Sequence, residues 1–436
     1  MKTVRRTLNI LMNDLLVGQL EKTTSGGLVF TYDSTWLKTP GARPISLALP
    51  LGEQPFTGDI VYNFFDNLLP DNTQIRARIQ TKFHIKTNQP FDLLASIGKE
   101  CVGAIQVVED PIASSTKKIS CHPIHDHEIA TILQGYQNSP LGMTDIHDDF
   151  RISIAGAQEK SAFLYYMDQW NRPEGTTPTT HIFKLPIGFI QHQQMDLSDS
   201  CENEWLCAQI AAAFGLPVAN CELHQFDKVK VLIVERFDRH LARDGSWIAR
   251  LPQEDMCQAL GYSPNLKYQS DGGPGIREIM RLLRGSANAE QDRDTFFAAQ
   301  ILFWILAAID GHAKNFSLFI EPAGKYRLTP LYDIMSAYPL IAKHQLHENK
   351  IKMAMALNGK SNHYHWNMAQ RRHFIETAKS ADYSIDRAET ILDEMLNKID
   401  VVIEDVSARL PKDFPQSISQ PIFEGMRTAK QRFKEK

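Results

Sequence analysis

The residues that could do chemistry lie late in the sequence: Asp310, Asn315 five positions on, and Asp333. Two carboxylates and an amide oxygen suit a magnesium ion next to a proton acceptor. Phosphoryl-transfer enzymes use such a set, in which one Asp takes the proton of the acceptor hydroxyl while an Asn and a second Asp hold the metal on ATP. The plain alternative is that Asp310 ends a helix and Asp333 opens a turn.

The sequence around the three must bring them together. Residues 296–309 form an apolar run interrupted at Gln300; a membrane span needs about 20 apolar residues, so this run reads as a buried core helix that ends just before Asp310. Residues 316–320 (FSLFI) and 326–331 (YRLTPL) read as strands, with Pro322-Ala323-Gly324 as the turn between them. A hairpin joins the residue before its first strand to the residue after its second, so Asn315 and Asp333 are expected side by side with Asp310 one short loop away.

Further candidates lie upstream. DDFRISIAGAQEKSAFLYY reads as strand, tight loop, strand with Gly156 at the bend. Backbone N–H groups in such a loop can cradle phosphate oxygens, with Ser153 and Lys160 beside them. THIFKLP (180–186) is a strand that carries Lys184 among apolar neighbours, which is costly without an anionic partner. The helix-forming stretch 202–216 offers Glu202 or Glu204 as that partner, although acids are also expected in a first helical turn. VKVLIVERFDR (229–239) is a buried strand running into Glu235, Arg236, Phe237 and Asp238, read either as the segment that meets adenine or as a solvated charge cluster.

The rest of the chain reads as scaffold. Residues 1–50 are β-rich, with TLNILMN and LLVGQL joined at Asn13-Asp14, then GLVFTY and ISLALPL. VYNFFDNLLPDNTQIRARIQTKF is helical in period after Asn72, Phe64 and Phe65 are expected in the core, and GKECVGAIQVV closes the unit as a strand. Cys121, His122, His125 and His127 match no zinc spacing and Pro123 breaks the segment, so surface histidines are expected there. RLPQEDMCQALGY, a Gly/Pro-rich loop at 270–276 (SDGGPGI) and mostly helical sequence follow. The basic end (Arg427, Lys430, Arg432, Lys434, Lys436) reads as a solvated tail.

The composition sets limits. With 436 residues, about three domains or subdomains are expected; 43% hydrophobic and 22% charged residues are ordinary for a globular protein. A formal charge of −4 argues against a protein made mainly to coat nucleic acid. Six scattered cysteines without C-x-x-C favour reduced thiols in the cytoplasm. The N-terminus lacks a small-residue cleavage site and reads as a strand and turn rather than a signal peptide. A β-rich front followed by a helical back fits an α+β, two-lobed protein-kinase-like fold with an extra N-terminal β-rich subdomain and a mostly helical C-terminal lobe. The expected division is 1–110, 111–250 and 251–436.

Eight segments in order carry a specific resemblance: FFDNLLPD (64–71), DFRISIAGAQEK (149–160), TTHIFKLPIG (179–188), VERFDR (234–239), LPQEDMCQ (251–258), SDGGPGI (270–276), DGHAKNFSLFI (310–320) and RLTPLYDI (327–334). Together they resemble the HipA family of bacterial serine/threonine-protein kinase toxins. The resemblance implies Asp310 as catalytic base, Asn315 and Asp333 as Mg2+ ligands and Lys184 as the residue holding the ATP phosphates. It implies a phosphate loop of Ala155, Gly156, Ala157, Gln158, Glu159 and Lys160, and an adenine segment of Glu235, Arg236 and Phe237. His312, Ala313, Lys314 and Tyr332 would also lie against the nucleotide. Ser153 matches a serine that family members autophosphorylate to switch themselves off. The implied substrate is glutamyl-tRNA synthetase, halting translation and promoting persistence. The implied partner is a HipB-type helix-turn-helix antitoxin dimer on operator DNA, with this chain as co-repressor and with no membrane role. Direct DNA contact through a helix bearing Arg371, Arg372 and Lys379 is a weaker expectation. The sequence lacks the G-x-G-x-x-G and His-Arg-Asp of ordinary protein kinases. A catalytically silent co-repressor and a small-molecule kinase are the rival expectations.

Overall fold

The structure is a computed structural model, and it describes residues 6–110, 117–138, 160–191 and 193–434. The chain forms two compact units: Met1–Leu185, His224–Asn265 and Leu318–Tyr326 make the first, and Pro186–Leu223, Leu266–Ser317 and Arg327–Lys436 the second. The boundaries expected at 110 and 250 both lie inside the first unit.

The first unit opens with a hairpin that turns at Asn13 and Asp14, both left-handed at φ 48° and 70°. Asn and Asp tolerate that region better than other non-glycine residues, and it matches the twist of the two strands. The antiparallel sheet so begun runs in the order Phe56–Thr57, Leu28–Tyr32, Leu15–Lys22, Arg6–Met12, Ile105–Val108. Leu8, Ile10 and Met12 alternate into one core with Leu20, Phe30 and the helices Asp59–Asn67 and Pro90–Ile97. Phe64 and Phe65 meet there edge to face at 5.1 Å, in the core as expected.

Two local expectations change. ISLALPL is not a strand; it makes only an isolated bridge between Ser46 and Leu49. Pro44 precedes it and Pro50 lies within it, and side chains take its N–H groups: the Tyr32 hydroxyl accepts from Ile45 (2.9 Å) and the Glu254 carboxyl from Leu47 (2.8 Å). Around VYNFFDNLLPDNTQIRARIQTKF, helical structure also starts earlier than expected, with the helix Asp59–Asn67 ahead of the helix Thr73–Lys82. Asn72 caps the latter by accepting from Gln74 at 2.8 Å.

A second, six-stranded sheet runs Cys221–Phe226, Val229–Glu235, His181–Lys184, Lys160–Tyr166, Gln169–Pro173, Cys121–Pro123. Its apolar face gathers Phe163, Phe183, Phe226, Val231 and Ile233 against the helix Asp126–Asn138. The upstream histidines serve its edge: His122 pairs with Glu174 at 2.7 Å and His127 with Asp227 at 2.8 Å, all exposed. Among the described residues no cluster of His, Cys, Asp and Glu could hold a metal ion, and all six cysteines are thiols.

The second unit is built on the helix Ala289–Leu306, in which residues 296–306 are all buried. The helices Ile385–Ala408 and Gln416–Lys434 pack on it, and Ser200–Ala213 packs on both of those. At roughly 1.5–3 kcal/mol for each large apolar side chain buried, this helix is a rigid post for whatever its C-terminal end carries. Among the described residues no helix is long and apolar enough to cross a membrane. The basic end is helical and anchored rather than a solvated tail: Lys430 pairs with Asp400, and the Arg432 guanidinium lies 4.2 Å from the Trp366 ring centroid.

Candidate active site

The core helix stops at Leu306 because Ala307 turns left-handed (φ 49°), its N–H closing back on Phe303. The chain then passes Asp310 into Gly311, where a Cβ would lie 2.1 Å from the Phe303 ring. Only glycine lets the loop descend this close to the helix that supports it. A short 3-10 turn follows at Ala313–Asn315. The Asn315 side-chain amide donates to the Asp310 carbonyl at 2.8 Å, which also accepts from the His312 N–H at 2.8 Å. The five-residue spacing therefore has a physical reason: it is the length at which the asparagine staples its own loop to the aspartate backbone. A carbonyl can only accept, so the amide nitrogen must face it and Oδ1 remains for a cation.

Asp310 itself is exposed, while His312, Lys314 and Asn315 are buried. Its carboxylate Oδ1 accepts a short hydrogen bond from the Tyr268 hydroxyl. The Tyr268 ring stands edge-on to His312 at 5.1 Å.

The expected hairpin forms from Ser317–Ile320 and Tyr326–Leu328, with its turn at Pro322–Gly324. Its base is closed by the Thr329 N–H on the Ser317 carbonyl at 3.0 Å. The Tyr332 hydroxyl donates to the Lys314 carbonyl at 2.9 Å and lies 2.6 Å from the Ser317 hydroxyl. The residues next to Asp333 and Asn315 are thus bonded to each other, and the two segments meet as the hairpin requires. Asp333 is half-buried and left-handed at φ 60°. Such strain persists only where the surroundings impose it. Here Leu331 bridges Val218 on one side, and on the other Asn203 and Ser336 exchange two hydrogen bonds of 2.8 and 2.9 Å. A side-chain amide oxygen and a carboxylate on braced backbone are hard oxygen donors of the kind magnesium takes, with room left for phosphate and water ligands.

In the first unit, Lys184 is 5% exposed, and its register places it opposite Leu232 on one side and Lys160 on the other. Two lysines directly opposite across antiparallel strands share a face, an arrangement that repels unless anions lie near it. Glu202 and Glu204, the acids expected to face Lys184, are both buried on the helix Ser200–Ala213 of the second unit. Ser153, Ala155, Gly156, Ala157, Gln158 and Glu159 lie outside the described residues.

The Glu235–Phe237 segment departs from the solvated-cluster reading. Glu235 is exposed, but Arg236, Asp238 and Arg239 are buried together with Glu100 rather than solvated. Arg236 forks onto Asp238 (2.9 and 2.8 Å), and Arg239 reaches Asp238 at 2.9 Å and Glu100 at 3.4 Å. Burial alone would raise the Asp238 carboxyl, but Arg236 and Arg239 outweigh it and hold that group well below the usual carboxylate range. The Arg236 N–H donates to Thr180, so it is committed to the protein. Phe237 is half-buried, its ring edge-on to Phe319 at 5.7 Å. Of the basic residues considered for DNA, Arg371 is held by Asp393 at 2.6 and 2.9 Å, whereas Arg372 is exposed.

Sequence reasoning missed Tyr268 and the buried network around Arg236. The only trace of the first is a tyrosine two residues ahead of a glycine-rich stretch that had no other assigned purpose.

Residues 152–403 match the HipA-like C-terminal domain and residues 8–108 the HipA N-terminal domain. The chain is 33% identical over 341 residues to Y4mE of Sinorhizobium fredii, which bears a provisional kinase name, covering 77% of this chain and 78% of that protein. It is 30% identical over 342 residues to the serine/threonine-protein kinase toxin HipA of Shewanella oneidensis, covering 76% of this chain and 75% of that protein. A chain in the solved complex of HipA, HipB and operator DNA from Shewanella oneidensis MR-1 superposes with a TM-score of 0.81 at 22% identity, covering 98% of this chain and 97% of that one. That likeness shows the fold, and the α+β architecture expected from the sequence is the one found.

Proposed function

This chain belongs to the HipA family, and from that membership and the geometry of its loop we propose that it is an ATP- and magnesium-dependent serine/threonine-protein kinase, the toxin of a HipBA-type module. The observation that carries the proposal is the stapled loop: Asp310, its carboxylate exposed, has its backbone carbonyl bonded by the Asn315 amide, whose oxygen is turned away from the staple.

In this reading Asp310 accepts the proton of the acceptor hydroxyl as that oxygen becomes a nucleophile. Asn315 and Asp333 supply the oxygen ligands for Mg2+. Lys184 and Lys160 place two ammonium groups on one face of their sheet for the phosphates, with Ala155 to Glu159 completing the loop. His312, Ala313, Lys314 and Tyr332 line the nucleotide, and Glu235 to Phe237 meet the adenine. When bound, Mg-ATP supplies the transferable phosphoryl group. Ser153 is the proposed autophosphorylation site: nearly two added negative charges cannot share a pocket built for ATP phosphates, so the modification switches the enzyme off.

The proposed setting is cytoplasmic, with a HipB-type antitoxin dimer as partner, operator DNA contacted mainly through it, and glutamyl-tRNA synthetase as the protein substrate. The three-part division at 110 and 250 is our proposal for subdomains. Labelled ATP and magnesium, with mass spectrometry at Ser153 and purified glutamyl-tRNA synthetase as acceptor, test this. Wild-type transfer that falls at least a hundredfold, to a measurable residual rate, in Asp310→Asn with unchanged circular dichroism is the expected result. Wild-type rates in that variant, or transfer to small metabolites alone, would overturn it. No turnover at all favours a silent co-repressor.

A further inference from the structure

The glycine-rich stretch at 270–276 has no part in the proposed chemistry, yet its lead-in reaches the reacting carboxylate. Tyr268 precedes it, and the loop closes on that residue: the Asp271 and Gly273 N–H groups both donate to the Tyr268 carbonyl at 3.1 Å. A Cβ on Gly273 would lie 1.8 Å from the Leu266 carbonyl oxygen, so the chain can double back this tightly only with glycine there. The Gln269 side-chain oxygen accepts from the Ala356 N–H at 2.7 Å, tying the loop to the strand Lys352–Asn358. On the other side, the Lys267 carbonyl accepts from the Ala313 N–H at 3.1 Å, inside the stapled loop itself. The Lys267 ammonium lies 5.7 Å from the Tyr268 ring centroid, and His312 meets that ring edge-on. Tyr268 is therefore fixed through its backbone neighbours and its ring, and its hydroxyl reaches Asp310 Oδ1.

An exposed carboxylate with no such contact turns readily about its last torsion, because that torsion is broad. A base that must meet an acceptor hydroxyl in line with a phosphate loses rate when it turns. We infer that Tyr268 is a positioning residue for phosphoryl transfer: its hydroxyl holds Asp310 Oδ1 and so presents Oδ2 to the acceptor hydroxyl. This is the logic of a base oriented by a third group, and it rests on Asp310 being the base. A purely structural brace fits less well, since a hydrogen bond to a solvent-exposed carboxylate replaces one that water would make and so adds little to stability. A gate that swings away fits less well too, because the contacts to Ala313 and His312 hold the residue in place.

The experiment compares wild type, Tyr268→Phe, Asp310→Asn and the double variant, using labelled ATP with magnesium and label incorporation into the purified chain and into glutamyl-tRNA synthetase. Tyr268→Phe is expected to lower kcat ten- to a hundredfold with KM for ATP and the unfolding midpoint unchanged. The double variant is expected to transfer no more slowly than Asp310→Asn, since Tyr268 acts only through that carboxylate. A kcat at or above wild type in Tyr268→Phe overturns the inference, as does a loss shared by KM and midpoint, or a loss that adds to that of Asp310→Asn. If Asp310→Asn keeps the wild-type rate, or the wild type transfers nothing, it is the base assignment that fails, and the inference falls with it.

Discussion

Glu254 gives a stability prediction whose size can be worked out. It lies in the strand Gln253–Asp255, is 0% exposed, and its Oε1 accepts from the Leu47 N–H at 2.8 Å. Among the described residues its Oε2 has no hydrogen-bond partner. Burial pushes the carboxyl up from 4.5 to about 8; hydrogen bonding from Ser46 and the Leu47 N–H opposes the rise, and the Asp255 charge adds a little to it. The folded chain therefore holds this proton where the unfolded chain has released it. Stability from the site is full below pH 4.5 and is lost as pH rises to about 8. The whole interval corresponds to an upper bound on the order of 5 kcal/mol, of which about 3 kcal/mol is already lost at pH 7. Glu254→Gln keeps the acceptor for Leu47, and its amide stands in for the protonated carboxyl without titrating. Urea unfolding of the full chain at several pH values is the assay. The variant's advantage over wild type is expected to be small at pH 4.5 and to grow by several kcal/mol toward pH 8.5. Two parallel profiles would refute the reasoning, because they would mean that Glu254 ionises alike in both states.

Other perturbations separate structure from chemistry. Asp333→Gly relaxes a left-handed residue at φ 60°, so the unfolding midpoint should hold or rise while magnesium-dependent ATP binding, read by calorimetry, falls at least tenfold; unchanged binding would refute the proposal that Asp333 is a magnesium ligand. Asp238→Asn strips the counter-charge from buried Arg236 and Arg239, and about 3–5 kcal/mol of stability should go with it in urea unfolding; a loss below about 1 kcal/mol would show that the pair is hydrated. Gly311→Ala brings a methyl to 2.1 Å from the Phe303 ring, and transfer activity should fall at least tenfold even where circular dichroism shows the helices intact.

What the sequence made legible follows the range of the interaction. The Asp310–Asn315 pair could be read because the staple joining them spans five residues, and the hairpin behind it because its turn chemistry is local. ISLALPL was misread for the opposite reason: partners from outside the segment, Tyr32 and Glu254, take the N–H groups a ladder would have used. The charges at 235–239 were open to reading as a solvated cluster because nothing nearby in sequence announces Glu100. Tyr268 is the sharpest case. Its hydroxyl meets a carboxylate 42 residues away, and the glycines that put it there encode only a tight fold-back, with no sign of what the fold-back is for. A site of this kind thus divides in two when read from sequence. The groups that touch the reacting atoms are spaced by their own loop and leave a motif, whereas those that hold them in place arrive across the fold and leave none.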